Sequence, residues 1–466
     1  MTRPSTGRAG DFTQGKIPKV ITGMAVPLIA AQLVNVLYNI VDRIYIGHIP
    51  AVGAHALTGV GVALPMITIL SAFAGLFGQG GAPLFSIARG RGDEEQAGRI
   101  MGNSMSLLLI SSVVLAVLAR MISRPALLAL GAGENTLGYA LDYLHVYLIG
   151  TPLVFVTLGM NPYVNSQGFA KRGMMTVLLG ALTNIALDPL FIFVFGMGVR
   201  GAALATVLSQ AVSAVWCTSF LRGGRAAIPL RRRNMGLRPD IVRRLVSMGI
   251  STFMAQGTNS IIQAVGNREL SFFGGELYIG AMTIINALRT AFFQVIMGVS
   301  SAMQPVIGYN YGANRRDRVL ECIRFATAVG VGFMLMTWLL LELIPEPFVR
   351  IFTGEQALIH IAVPAVRIYY CAIFFMSLQL VGQSVFTGLG KARHAVFFSL
   401  FRKVVIEAPL MVLLPRWGFG AAGVFWSEPV SDVIGGLAAY ITMLVTVYFP
   451  LRRELRAAEA GDRLPG

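Results

Sequence analysis

The chain has 466 residues, 55% of them hydrophobic and 13% charged, with a formal net charge of +16. A soluble globular domain carries roughly 25% charged residues, so most of this chain has no water-facing surface to decorate, and a soluble fold is excluded. The basic excess does not signal nucleic acid, because Lys and Arg sit in short loops between long apolar runs, where bilayer orientation places them.

The first residues are polar through Gly15, with Arg3 and Arg8 followed by Lys16 and Lys19. They hold no short apolar run ending in a small-residue cleavage site, so no signal peptide is expected. Thereafter about twelve apolar stretches follow, each near the ~20 residues that span a bilayer. Their approximate cores are 19–46, 54–81, 99–119, 138–162, 174–195, 201–221, 243–266, 277–307, 321–343, 358–386, 395–414 and 420–449. The connections are short, which leaves no room for a soluble domain. The expected fold class is therefore all-α, a polytopic membrane protein. The cysteines Cys217, Cys322 and Cys371 lie in or beside these stretches with no CxxC spacing, and read as packing residues.

Basic residues alternate from loop to loop. Arg89, Arg91 and Arg99 follow the second stretch, Lys171 and Arg172 the fourth, and Arg222, Arg225, Arg231, Arg232, Arg233, Arg238, Arg243 and Arg244 the sixth. Arg315, Arg316 and Arg318 follow the eighth, Lys391 and Arg393 the tenth, and Arg452, Arg453 and Arg456 close the chain. The other loops are poorer, with Arg120 and Arg124 a mild exception. Both termini are expected on the cytoplasmic side of a bacterial inner membrane.

The two halves echo one another about 222 residues apart. Ala31-Gln32 with Asn35 recurs as Ala255-Gln256 with Asn259. Gly90, placed after Pro83, recurs as Gly312 after Pro305. Asn161 to Gly168 is matched by Gln383 to Gly390, and Asp188-Pro189 by Ala408-Pro409. Matches in one order at nearly one offset argue for duplication. Six spans per half make the repeat parallel, as in transporters that rock two bundles about a central site. Residues 1–221 are read as an N-lobe, 222–241 as a basic cytoplasmic linker, and 242–466 as a C-lobe. Two GxGxxG strings, Gly196-x-Gly198-x-x-Gly201 and Gly418-x-Gly420-x-x-Gly423, follow no strand and have no acid about 20 residues on. They read as tight turns between closely packed helices.

Acids inside apolar spans are few, and each costs about 2.5–3.5 kcal/mol on insertion scales. In the first helix Asn35, Tyr38 or Asn39, and Asp42 share one face. In the fifth, Asn184 and Asp188 are four apart, and Thr206 in the sixth offers a hydroxyl. Such oxygens can hold a proton between two acids or ligate Na⁺ at Asp42, Asp188, Asn184 and Thr206. The plainer reading pairs Asp42 with adjacent Arg43 and leaves Asn184 and Thr206 as interhelical glue. Phe155, Met160, Met174 and Phe292 are candidates to line a ligand cavity, or simple packing.

Three segments carry a family resemblance. Val41-Asp42-Arg43-Ile44-Tyr45-Ile46-Gly47, the stretch from Leu187-Asp188-Pro189 through Ala205-Thr206, and Gln304-Pro305-Val306-Ile307-Gly308-Tyr309-Asn310-Tyr311-Gly312-Ala313 resemble the multidrug and toxic compound extrusion (MATE) family, in its DinF-like branch. The resemblance covers nearly the whole chain. It implies two six-helix lobes in a V and export of cationic or amphipathic compounds against H⁺ or Na⁺, by a monomer in the lipid bilayer with no cofactor. It carries over coupling roles to Asp42, Asp188, Asn184, Tyr38 and Thr206, a helix bend to Pro27, and cavity-lining positions to Asn35 and Asn161. Pro27 also lacks the N–H that would bond the Gly23 carbonyl.

The chain departs from the NorM-like branch, which carries acids in the seventh and tenth helices. Here the seventh has none before Glu269, and Met376 stands near the tenth-helix place. Glu407 lies close to the repeat partner of Asp188 and is expected to pair with Arg402 or Lys403; a second coupling acid is the alternative. Glu428 and Asp432 are expected to pair with Arg289 in a structural role. A flippase for lipid-linked precursors shares the two-lobe logic but calls for more cations within the spans. A membrane-embedded enzyme lacks support, since His48, His55, His145, His360 and His394 are scattered.

Overall fold

The computed structural model describes residues 12–50 and 52–461, without the side chains of 255, 256, 260 and 459–461. Arg3 and Arg8, and the side chains of the repeat pair Ala255-Gln256, lie outside the described residues. In a bilayer every backbone N–H and C=O must be paired within the chain, which leaves helices as the solution for long apolar runs. The described residues are accordingly helical from end to end. The first half holds α1 (Ile17–Gly47), α2 (Gly53–Gly90), α3 (Glu94–Ala129), α4 (Glu134–Ser166), α5 (Ala170–Pro189) and α6 (Gly198–Arg222). The second holds α7 (Pro239–Phe273), α8 (Glu276–Gly312), α9 (Arg316–Leu343), the short α10 (Pro345–Arg350), α11 (Gln356–Tyr370), α12 (Ile373–Gly388), α13 (Ala392–Leu400), α14 (Ala408–Leu414), α15 (Ala421–Met443) and α16 (Phe449–Gly461).

Among the described residues, nine helical spans are long and apolar enough to cross a membrane, and a tenth forms if α11 and α12, bent by 45°, count as one. Two of the twelve expected stretches, 243–266 and 395–414, fall on helices that miss this criterion. Their sequences explain it: α7 is rich in Ser, Thr, Asn and Gln, and the other carries Arg402, Lys403 and Glu407 at its centre. That second stretch is also not one helix. A π-helical turn at Phe401–Glu407 separates α13 from α14, and another at Leu444–Tyr448 separates α15 from α16.

The lipid-facing pattern is clearest on α3. Ile110, Val113, Val114, Val117, Leu118, Met121 and Ile122 are all exposed, at the three- and four-residue spacing of one helical stripe. The opposite stripe, with Met101, Met105, Leu108 and Ser112, is buried. In water such a stripe would be an aggregation patch; against acyl chains it is at no disadvantage.

The chain forms two compact units. The first holds Val26–Phe253 with Phe12; the second holds Thr13–Ala25 and the chain from Met254 onward. The division falls inside α7, so the basic connection expected as the seam lies within the first unit. It is bonded to α3 there: Asn103 Nδ2 donates to the carbonyls of Asn234 (3.4 Å) and Gly236 (3.1 Å), and Asn103 Oδ1 accepts from Arg238 N (2.8 Å). Ser106 Oγ adds a bond to Met235 O at 2.6 Å.

Within the first unit, α2 packs along α4 through small residues. A methyl group on Gly78 would stand 2.5 Å from Gly159 Cα, so the two backbones touch directly. Ser213 Oγ on α6 bonds Thr176 O on α5 at 2.8 Å, tying that pair. In the second unit Arg318 on α9 donates to the carbonyls of Gly15 (2.9 Å) and Gln14 (3.2 Å), anchoring the segment before α1. Arg416 holds Glu269 of α7 by two bonds of 2.8 and 3.3 Å.

The GxGxxG strings are turns, as their surroundings indicated. Gly196, Gly198, Gly418 and Gly420 all have positive φ, a region that residues with a Cβ avoid. The third glycine of each string is a packing point. A methyl on Gly201 would meet the Phe191 backbone at 2.7 Å, and one on Gly423 the Pro415 nitrogen at 2.6 Å.

Candidate functional site

Helix α5 ends at Asp188-Pro189. Pro189 cannot donate to the Ile185 carbonyl, and the chain runs on into a π-helical turn, Leu190–Val194. Such turns widen a helix and reorient side chains beside them. Asp188 and Asn184, one turn apart, are both buried, and Asn184 Nδ2 donates to Asp188 Oδ1 at 3.2 Å.

Helix α1 supplies the partner. Asp42, half-buried, faces Asp188 with the two carboxyl groups within hydrogen-bonding reach. An acid–acid hydrogen bond requires one proton between the two groups. Tyr38, one turn before Asp42, lies within electrostatic reach of both acids. Asn39, the other candidate for that place, is exposed and donates to the Asn35 carbonyl at 2.6 Å. Thr206 of α6 is buried, and its side chain lies beside that of Tyr143.

Asp42, Asp188, Asn184, Tyr38 and Thr206 therefore come together in the first unit. Three of their acceptor oxygens, Asp42 Oδ1, Asp188 Oδ2 and Asn184 Oδ1, are buried without a hydrogen-bond partner among the described residues. Buried acceptors are normally satisfied, and these oxygens could each accept a proton or ligate a hard cation. Arg43, the plainer partner for Asp42, is exposed. No group of three or more His, Cys, Asp or Glu is arranged to hold a metal among the described residues. The donor set of carboxylate, amide, phenol and hydroxyl oxygens suits H⁺ or Na⁺ rather than a transition metal.

Two site residues escaped the sequence reading. Tyr143 and Tyr147 of α4 are buried and stacked, with ring centroids 6.4 Å apart. Tyr143 lies within electrostatic reach of Asp42 and Tyr38 and beside Thr206, and Tyr147 lies within reach of Tyr38 and beside Ser71. Their four-residue spacing was visible, but tyrosines are common in apolar helices.

The remaining expected positions lie apart from this cluster. Asn35, half-buried, is two turns before Asp42. Asn161 donates to Gly173 O at 3.2 Å and stands about 21 Å along α4 from Tyr147. Pro27 is buried in α1, about 22 Å from Asp42 along the helix. Phe155 and Met160 are fully buried packing residues of the first unit; Met174 and Phe292 are half-buried.

The second unit buries its own charges. Arg402 Nη1 contacts Asp432 (2.7 Å), Glu428 (3.1 Å) and Glu407 (3.8 Å), and Lys403 Nζ contacts Glu407 (2.6 Å) and Glu428 (3.4 Å). Glu407 thus pairs with Lys403 and Arg402. Arg289 reaches Glu428 at 3.5 Å, but the closest partner of Asp432 is Arg402, not the expected Arg289. The reason is spacing: Arg402 projects from the π turn at the level of Asp432, and Arg289 arrives one turn away, at Glu428.

A bundle of long apolar helices that buries paired acids has the architecture of a membrane transport protein. The sequence profile of the MatE family matches residues 27–190 and 250–413, and the chain belongs to this family. It is similar to the multidrug export protein MepA of Staphylococcus haemolyticus, 23% identical over 96% of this chain and 97% of that one. MepA of Staphylococcus saprophyticus is 23% identical over 98% of both chains. Among solved structures, a MATE transporter in the bent conformation covers 97% of this chain and 99% of its own, with a TM-score of 0.90 and 21% identity. A MATE transporter in complex with MaD3S covers 96% of this chain and 100% of its own, with a TM-score of 0.89 and 22% identity. The fold is therefore the two-lobe MATE fold.

Proposed function

We propose that this multi-pass transporter exports cationic, amphipathic compounds from the bacterial cytoplasm in exchange for H⁺, using the acid pair Asp42–Asp188. Multidrug efflux is the activity named for the MepA relatives that span nearly the whole chain. The observation that carries the coupling assignment is the carboxyl–carboxyl contact between α1 and α5. Two carboxylates in a low-dielectric site repel each other when both are ionised, and a proton removes that repulsion. A cationic drug does the same by binding both. Drug and proton therefore compete, and by linkage each weakens the equilibrium binding of the other. Tyr38, Asn184, Thr206 and Tyr143 orient the acids. Pro27, lacking one ladder bond, gives α1 a place to bend during alternating access.

Na⁺ is the second reading. It is favoured by the three unpartnered oxygens together with the Thr206 hydroxyl, which offer ligands to a hard cation. The deciding experiment imposes a pH gradient and a Na⁺ gradient separately on inside-out vesicles while following dye uptake. Alongside, drug affinity is measured from about pH 5 to pH 9, with and without Na⁺. Affinity should fall as proton concentration rises; an affinity indifferent to both cations refutes the scheme.

A further inference from the structure

The basic connection before α7 concentrates charge that exchange at Asp42–Asp188 leaves unused. Between it and the start of α3 lies a cavity of about 440 Å³, whose lining includes Glu95, Arg99, Arg233, Leu237 and Arg238. Three arginines and one glutamate give it a net of two positive charges. Glu95 is already bonded to Arg99, one turn away on α3. Arg233 and Arg238 are exposed, and their side chains have no acid partner among the described residues.

Orientation in the bilayer accounts for the number of arginines here, but not for the way they are held. The connection is locked onto α3 by the three bonds of Asn103 to Asn234, Gly236 and Arg238. Gly102 lets it lie close, since a methyl there would stand 2.2 Å from the Asn234 carbonyl oxygen. Arg233 and Arg238 therefore leave a fixed frame beside Arg99. A ligand that binds such a preformed cluster is spared the ordering cost that a flexible basic loop imposes.

Helix α3 also sets the depth of the cavity. Between Arg99 and Arg120 it holds 20 residues without a charge. At 1.5 Å per residue they span about 30 Å, the thickness of the hydrocarbon core. Arg99 thus stands at the edge of that core, at the level of the lipid headgroups. Leu237, 47% exposed, adds an aliphatic surface to the lining, which suits a glycerolipid better than a free anion.

We propose that this cavity binds the phosphate of an anionic phospholipid headgroup through Arg99, Arg233 and Arg238. Guanidinium forks match phosphate oxygens, and basic pockets at the membrane surface gain further from the negative charge of the leaflet. The bound lipid clamps the connection to α3 and stabilises the first unit. This site is independent of the export reading.

The test follows thermal unfolding of the purified full chain in uncharged detergent at constant ionic strength. Short-chain phosphatidylglycerol, phosphatidylcholine of the same chain length and glycerol phosphate are titrated separately. Phosphatidylglycerol should stabilise at a concentration at least about tenfold below either of the others, the scale of charge-assisted hydrogen bonds gained. Arg233→Gln/Arg238→Gln should raise the phosphatidylglycerol concentration needed by about tenfold or more and leave the response to phosphatidylcholine unchanged. Arg452→Gln/Arg453→Gln removes the same charge from exposed positions of α16 and should change that concentration less than about twofold. All four side chains are exposed, so both variants should melt like wild type without lipid. Equal effects of the two variants would reduce the site to diffuse surface charge and overturn the proposal. So would equal stabilisation by phosphatidylglycerol and phosphatidylcholine. Glycerol phosphate acting at the same concentration as phosphatidylglycerol would make the occupant a soluble anion and overturn the lipid assignment.

Discussion

Lys403→Met removes one cation from the buried cluster and leaves Arg289 and Arg402 facing three acids. Lys403 lies 2.6 Å from Glu407 and 3.4 Å from Glu428, and all three side chains are at most 8% exposed, so water cannot replace the ammonium. Breaking one side of a buried pair costs about 3–5 kcal/mol. At roughly 2–4 °C per kcal/mol for domains of about 150–250 residues, the melting temperature should fall by ~6–20 °C. Lys403→Met/Glu407→Gln removes the stranded acid with the cation and should recover most of the loss, because replacing both members of a buried pair is often close to neutral. The sign with pH follows from the charge count. A proton on Glu407 restores the balance in the single variant, so its deficit should shrink as pH falls. The assay is thermal unfolding of purified protein, followed by tryptophan fluorescence at several pH values. Equal losses in the single and double variants, at every pH, would refute the view that these charges form one compensated network.

Asp42→Asn should abolish drug export with expression intact, read as resistance and vesicle transport; export at the wild-type level removes Asp42 from coupling. Per folded molecule, Asp188→Asn should impair transport more than Glu407→Gln, since Asp188 belongs to the acid pair; equal impairment would assign coupling to the second unit as well. Asn103→Ala breaks three bonds between α3 and the basic connection, worth about 1–3 kcal/mol for the groups left unpaired; trypsin should then cut at Arg231–Arg233 faster than in wild type. Gly78→Val forces side-chain atoms into the backbone around Gly159 and should destabilise the first unit by at least the ~1–3 kcal/mol of ordinary overpacking, visible as lower yield and melting temperature.

Much of this molecule can be read from its residues because the bilayer removes choices. Apolar runs become helices, and the face shared by Tyr38 and Asp42 follows from the helical period alone. That period also joins Asn184 to Asp188. What joins α1 to α5 is tertiary packing, and for that the sequence offers only family resemblance. The breaks were less legible. Pro189 marks the break after α5, but that a π turn follows at Leu190–Val194, or forms at Phe401–Glu407, depends on tertiary packing that no local pattern records. Tyr143 was hidden for the opposite reason, as its residue type is unremarkable until Thr206 is placed beside it. The pairing of Asp432 with Arg402 rather than Arg289 depends on the π turn and was invisible for the same cause.

The broken helix around Arg402 also bears on how the protein is made. Its three charged groups together oppose entry into the membrane by about 8–10 kcal/mol on insertion scales, more than the short apolar flanks of α13 and α14 readily offset. Their counter-charges on α15 lie 25 residues further along, counted from Lys403 to Glu428. At about 5–20 residues per second, the ribosome needs roughly 1–5 s to deliver them. During that interval the stretch must wait at the translocon or the membrane surface and then enter together with α15, as a hairpin of two cations and three acids that Arg289 of α8 brings to balance.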